Sequence, residues 1–287
     1  MRRIPTLVTA ALAALLASAD LCAQSTTLRA HSVEVNGIRL HYRAGGDGPP
    51  LLLLHGFTAT GAWWGPLLES LAENYTTIVP DLPGHGGSEG GPDPYRFDEV
   101  ATDVYALMDE LGIERFRAVG YSGGGIVLLH MAAQEPDRIE SMAVVSAPHV
   151  HSRSTMLEFP RFEDHPTPVR EYWLEVHPGG EAQVRRLIAS FHGLAEVVEQ
   201  IDVPPEELSS IEARTLIVLG DRDPLFPVHL ALELYQAIPD AALWVVPMGG
   251  HFAIWPDWGG SAEAASIFPA VVTRFLGSEA LEVSPGR

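Results

Sequence analysis

The chain holds no lysine; all 18 of its basic residues are arginine. Against 37 acidic residues this leaves a formal net charge of −19. So acidic a surface repels phosphate backbones and anionic lipid heads, so nucleic acid is not an expected partner. Cysteine is nearly absent. With Cys22 alone, no disulfide can close within the chain. Beyond the amino terminus, no apolar run reaches the length of a bilayer span. There is no phosphate-binding P-loop and no dinucleotide fingerprint; the glycine-rich stretch Gly84–Gly91 follows neither pattern. What remains is a chain of 287 residues, 46% of them apolar. That is enough to bury a sizeable core in one large domain, or in one domain with an insert.

The amino terminus carries an export pattern. Arg2 and Arg3 precede an uncharged, mostly apolar run from Leu7 to Ala17. Ala17-Ser18-Ala19 then fits the small-x-small cleavage rule. Cleavage after Ala23 is a second option and would remove the only cysteine. A lipidated Cys22 is a rival reading, opposed by Asp20 and Leu21 just before it. Residues 1–23 are therefore expected to be a signal peptide, and the mature chain to be periplasmic or extracellular.

The mature part opens with two alternating runs, Ser32–Val35 and Ile38–Arg43, around the hairpin turn Asn36-Gly37. The texture then changes. Leu51–Leu54 has no polar member, which predicts a strand buried on both faces of a parallel sheet. Further strands are expected at Thr77–Val79, Phe116–Gly120, Met142–Val145, Thr215–Leu219 and Leu243–Val246. Helical spacing fills the gaps through Trp64–Leu71, Phe97–Leu111, Gly124–Ala133, Val228–Ile238 and Ala262–Phe275, with Pro269 expected to kink or restart the last. This alternation predicts a doubly wound, mostly parallel α/β sheet with helices on both faces. The core comprises residues 24–148 and 214–287. Residues 149–213, rich in proline, break the rhythm and are read as an inserted helical lid with helices near Val169–Val176 and Glu181–Ile201.

Gly120-Tyr121-Ser122-Gly123-Gly124 lies between a predicted strand and a predicted helix, the context a nucleophile elbow requires. A serine hydroxyl is a weak nucleophile and needs a base. His251, after the last strand and preceded by Gly249-Gly250, is the candidate. The histidine needs an acid to fix its tautomer and stabilise its cation. Two aspartates end the preceding strand in Gly220-Asp221-Arg222-Asp223-Pro224. Asp223 is the expected acid, with Asp221 as a turn residue or a partner for Arg222. The expected oxyanion donors are the backbone N–H groups of Gly123 and Phe57, the latter in His55-Gly56-Phe57 after the buried strand.

Together these residues resemble the α/β-hydrolase superfamily, in its lid-bearing group of serine esterases. The segments carrying the resemblance are 55–57, Asp81-Leu82-Pro83-Gly84-His85-Gly86-Gly87-Ser88, the elbow 120–124, Asp223 and Gly250-His251. It implies a Ser122-His251-Asp223 triad working through an acyl-enzyme on a carboxylic ester. It also implies that Asp81, His85, Ser88 and His55 are architectural. Dehalogenases and epoxide hydrolases of this fold use aspartate at the elbow, so Ser122 speaks against those activities. The same triad serves carbon–carbon, amide or lactone hydrolysis and cofactor-free perhydrolysis, and a ligand-binding or sensor protein can share the scaffold.

Tyr121, Trp173 and Phe252 are the candidate substrate-pocket residues, and the expected partner is a small neutral or apolar ester. No cofactor and no metal is expected. His149-Val150-His151 has a metal-like spacing, but Ser152-Arg153-Ser154 follows instead of a further ligand.

Overall fold

A computed structural model of the protein describes residues 28–198 and 201–277. The expected signal peptide, residues 1–23, lies outside the described residues. Eight strands form one sheet: β1 (Arg29–Val35), β2 (Ile38–Gly45), β3 (Pro50–Leu54), β4 (Thr76–Pro80), β5 (Phe116–Tyr121), β6 (Ile139–Val145), β7 (Arg214–Gly220) and β8 (Ala241–Val246). Their order is β1-β2-β4-β3-β5-β6-β7-β8. The β1–β2 and β2–β4 pairs are antiparallel, and all the others are parallel.

The parallel strands are largely apolar because both faces are covered. On β3, Leu51 and Leu53 join one core while Leu52 and Leu54 join the other. One face packs against α1 (Gly65–Ala72) through Leu68 and Leu71, and against α9 (Ala262–Gly277) through Phe268 and Val272. The opposite face packs against α2 (Phe97–Glu110), α3 (Gly123–Gln134) and α8 (Val228–Ala237), through Val104, Leu128 and Leu234. Sheet residues thus alternate between two cores with the pleat, the pattern expected of a three-layer α/β fold.

Between β6 and β7 the chain makes a helical insert: α4 (Arg153–Glu158), α5 (Thr167–Val176), α6 (Gly180–Gly193) and α7 (Pro205–Leu208). The first and last of these were not expected, because runs of six and four residues are too short to show a 3.6-residue period. The helix expected over 181–201 stops at Gly193, a poor helix former, and tightens into a 3₁₀ turn at Leu194–Glu196. The carboxy-terminal helix runs as one span through Pro269.

Candidate active site

Ser122 follows the central strand β5 and has φ +49°, ψ −119°, a conformation costly for any residue with a side chain. The surroundings impose it. The Ser122 N–H donates to the Val145 carbonyl at 2.9 Å, and the Ser122 carbonyl accepts from Gly125 and Ile126 as α3 begins. The turn is so tight that a methyl on Gly124 would lie 2.3 Å from the Leu54 carbonyl oxygen. Only glycine fits there, and at Gly120 a methyl would lie 2.5 Å from the Gly124 carbonyl oxygen, so these two glycines of Gly-Tyr-Ser-Gly-Gly are steric requirements of the turn.

The candidate acid and base arrive on neighbouring loops. The carbonyl of Gly249 accepts from Arg222 N–H at 2.8 Å, and that of Val246 from Asp221 N–H at 3.1 Å. These bonds fix the loop after β7 against the loop after β8. His251 Nε2 then lies 3.0 Å from Ser122 Oγ, and His251 Nδ1 lies 2.8 Å from Asp223 Oδ2. The other Asp223 oxygen accepts the N–H groups of Leu225 and Phe226 at 2.8 and 3.1 Å. The Asp223 carboxylate is wholly shielded from water, whereas Asp221 is exposed. A carboxylate accepting at Nδ1 places the imidazole proton there and leaves the Nε2 lone pair facing the serine hydroxyl.

Phe57 and Gly123 also come together. A methyl on Gly123 would stand 3.1 Å from the Phe57 nitrogen. Neither N–H has an acceptor among the described residues, so both are free to serve an anion. The loop bearing Phe57 is tied down by buried neutral histidines. His55 donates from Nδ1 to the Gly56 carbonyl and accepts the Leu82 N–H at Nε2. His85 donates to the Pro83 carbonyl and accepts the Thr58 N–H. Burial lowers the His55 pKa to about 4 and that of His85 well below its ordinary range, which keeps both rings uncharged. Asp81 binds the N–H groups of Gly61 and Gly87 and the ring of His41.

The candidate pocket residues separate. Tyr121 and Phe252 both reach the His251 ring, at centroid distances of 5.4 and 5.5 Å. Tyr121 is buried beneath the site, stacked on Trp63, and burial pushes its phenol well above the ordinary value, with the Asp223 charge adding. Trp173 is elsewhere: it sits in the insert's own apolar core with Val169, Val184 and Ile188, its ring partners being Phe162 and His165. An indole is the largest apolar body available to that small cluster, and the cluster buries it. Other rings come closer to the site. Phe226 meets the His251 ring at 5.3 Å, and Phe191 of α6 packs on Phe57 at 4.6 Å. Phe226 stands three residues after Asp223, a signal the sequence carried; Phe191 is brought in only by the packing of the insert. His149 and His151 diverge, pairing with Glu233 and Asp202 respectively.

Comparison with known proteins agrees with this fold. The family model for the alpha/beta hydrolase fold matches residues 49–176. The chain belongs to the α/β-hydrolase fold family. It is 30% identical over 265 residues to the dihydrolipoyllysine-residue acetyltransferase component of the acetoin cleaving system of Cupriavidus necator, covering 85% of this chain and 68% of that one. It is 27% identical over 263 residues to the N-formylmaleamate deformylase of Pseudomonas putida, covering 82% and 94%. Its fold superimposes on the 2-hydroxy-6-oxo-6-phenylhexa-2,4-dienoate hydrolase of Rhodococcus sp. strain RHA1 with a TM-score of 0.70, at 24% identity over 86% of this chain and 98% of that one. Among the described residues, no helix is long and apolar enough to cross a membrane.

Proposed function

We propose that the protein is a serine hydrolase that cleaves a small carboxylic ester through an acyl-enzyme. The observation carrying this is the unbroken line Ser122 Oγ, His251 Nε2, His251 Nδ1, Asp223 Oδ2, with spacings of 3.0 and 2.8 Å. Ser122 Oγ attacks the ester carbonyl carbon as its proton passes to His251 Nε2. The Asp223 charge stabilises the imidazolium, and the N–H groups of Phe57 and Gly123 receive the oxyanion. The C–O bond then breaks, and the departing alkoxide takes the proton from His251. Water, deprotonated by His251, attacks the acyl-Ser122, releases the carboxylic acid and restores the serine. The helical insert 149–213 is read as a lid over the site. The amino-terminal run supports action outside the cytoplasm.

A second reading keeps the same groups but cleaves a C–N bond, favoured by the similarity to a deformylase over 94% of that protein's length. Turnover of p-nitrophenyl esters from acetate to long chains, beside an amide series and with fluorophosphonate labelling, separates the two. Ser122→Ala is expected to lose labelling and to drop kcat by up to about 10⁶-fold. Undiminished turnover in that variant would overturn the assignment. Mass spectrometry of the exported protein tests cleavage after Ala19 or Ala23.

A further inference from the structure

The backbone just after the Phe57 donor is strained. Thr58 is β-branched, yet it has φ +62°, a conformation such a residue keeps only where its surroundings enforce it. Its N–H donates to His85 Nε2 at 3.1 Å, and its hydroxyl donates to the Phe57 carbonyl at 2.7 Å. The direction of the Phe57 N–H thus depends on where His85 sits. His85 lies in the loop after β4, so whatever holds that loop also holds the donor.

Helix α6 of the insert grips this arrangement at two points. The buried Gln183 donates from Nε2 to the carbonyls of Gly84 and Gly86, on either side of His85, both at 2.9 Å. Its Oε1 accepts the Gly179 N–H at 2.8 Å, which ties the amide to the start of its own helix. Two turns on, the Phe191 ring packs on that of Phe57 at 4.6 Å, and Phe159 of the insert meets these two rings at 4.9 and 6.2 Å. Gln183, Leu187 and Phe191 recur every four residues, which sets them on one stripe of α6. Leu187 and Phe191 pack with the core that contains α2 and α3, whereas Val184 and Ile188 face the insert's own cluster. Docking alone would be served by an apolar side chain at 183. A buried amide that spends both N–H groups on the carbonyls flanking one histidine fixes a position as well.

We propose that α6 positions the oxyanion donor, with Gln183 and Phe191 as the positioning residues. Gln183 acts through His85 on the Thr58 N–H, and Phe191 acts on the Phe57 ring. The catalytic use of this brace rests on the acyl-enzyme reading; the brace itself does not.

The test removes each contact separately, with Gln183→Leu and Phe191→Ala. The substrates are p-nitrophenyl butyrate and its thiono analogue, in which C=S replaces C=O. Sulfur accepts hydrogen bonds weakly, so the ratio of the two kcat/KM values reads the oxyanion donors. A ratio within one preparation does not depend on how much of it is folded. Each variant is expected to lower kcat on the oxygen ester by roughly 10²-fold with KM unchanged, as a misplacement of about 1 Å does. The oxygen-to-sulfur ratio is expected to fall about tenfold, and fluorophosphonate labelling of Ser122 to slow about tenfold. Amide hydrogen exchange followed by mass spectrometry reads the brace directly. Thr58 is expected to exchange at least about tenfold faster in both variants while strand β5 keeps its wild-type rate. An unchanged oxygen-to-sulfur ratio, a rise in KM without a fall in kcat, an unchanged Thr58 rate, or equal acceleration at Thr58 and in β5 overturns the proposal. If the wild type neither turns over ester nor labels, yet Thr58 exchange responds as expected, the brace stands and the serine-hydrolase reading falls.

Discussion

Lowering the pH from about 7.5 to about 5 is expected to destabilise the fold chiefly through His55 and His85. Both are fully buried, and each bonds as a neutral ring, donating at Nδ1 and accepting at Nε2. Burial holds His55 at about 4 and His85 well below the ordinary value. In the unfolded chain each ring takes up a proton near pH 6.5, while the folded rings refuse it. Stability is therefore full above about pH 6.5 and falls as the pH drops toward the folded value. Each ring costs about 1.4 kcal/mol per pH unit, so at pH 5 each costs about 2 kcal/mol and the two about 4 kcal/mol. Burial lowers His130 and His177 as well, in the same direction. Asp81 adds nothing in this window. Burial alone would raise its carboxyl, but the bonds from His41, Gly87 and Gly61 and the charge of His55 bring it to about 2, so its contribution is lost only in stronger acid. Urea unfolding followed by circular dichroism measures the effect. With a slope near 3 kcal/mol per molar, the midpoint is expected to fall by about 1.3 M. Equal midpoints at the two pH values, or a His55 ring titrating near 6.5 by NMR, would refute the reasoning.

Three further outcomes are expected. Asp223→Asn should keep the urea midpoint but lower kcat by roughly 10⁴-fold, because the amide permits the wrong imidazole tautomer; a loss under tenfold would remove Asp223 from its role. Gly220→Ala would place a methyl 2.1 Å from the Gly249 carbonyl oxygen and force apart the loops bearing Asp223 and His251. Its kcat/KM should fall by about 10² or more, since misplacement of about 1 Å is enough for that, and wild-type activity would show that the two loops are not coupled. Tyr95→Phe removes a buried hydroxyl with no partner among the described residues, so thermal unfolding should show a gain of about 1 kcal/mol. A loss of that size would reveal a hydrogen bond.

Much of this molecule is legible along the chain because its determinants are local. The pleat sends alternate leucines of Leu51–Leu54 to opposite cores, so an unbroken apolar run means a covered parallel strand. The turn at Ser122 tolerates only glycine at Gly124, so the elbow is written in residue types. Short helices such as Arg153–Glu158 leave no periodic trace, and the end of α6 at Gly193 was blurred by the apolar residues beyond it.

The sequence by itself determined the order of the strands and the longer helices, and it set Ser122 and His251 just after their strands, since backbone sterics and hydrophobic period act over a few residues. Only the tertiary structure decided between Asp221 and Asp223, because that choice depends on which carboxylate the crossing of the β7 and β8 loops carries to His251 Nδ1. It also decided that Trp173 packs within the insert while Phe226 meets the His251 ring, and that Asp202 meets His151 across 51 residues of chain. Such pairings are set by the packing of distant segments, and no local pattern records them.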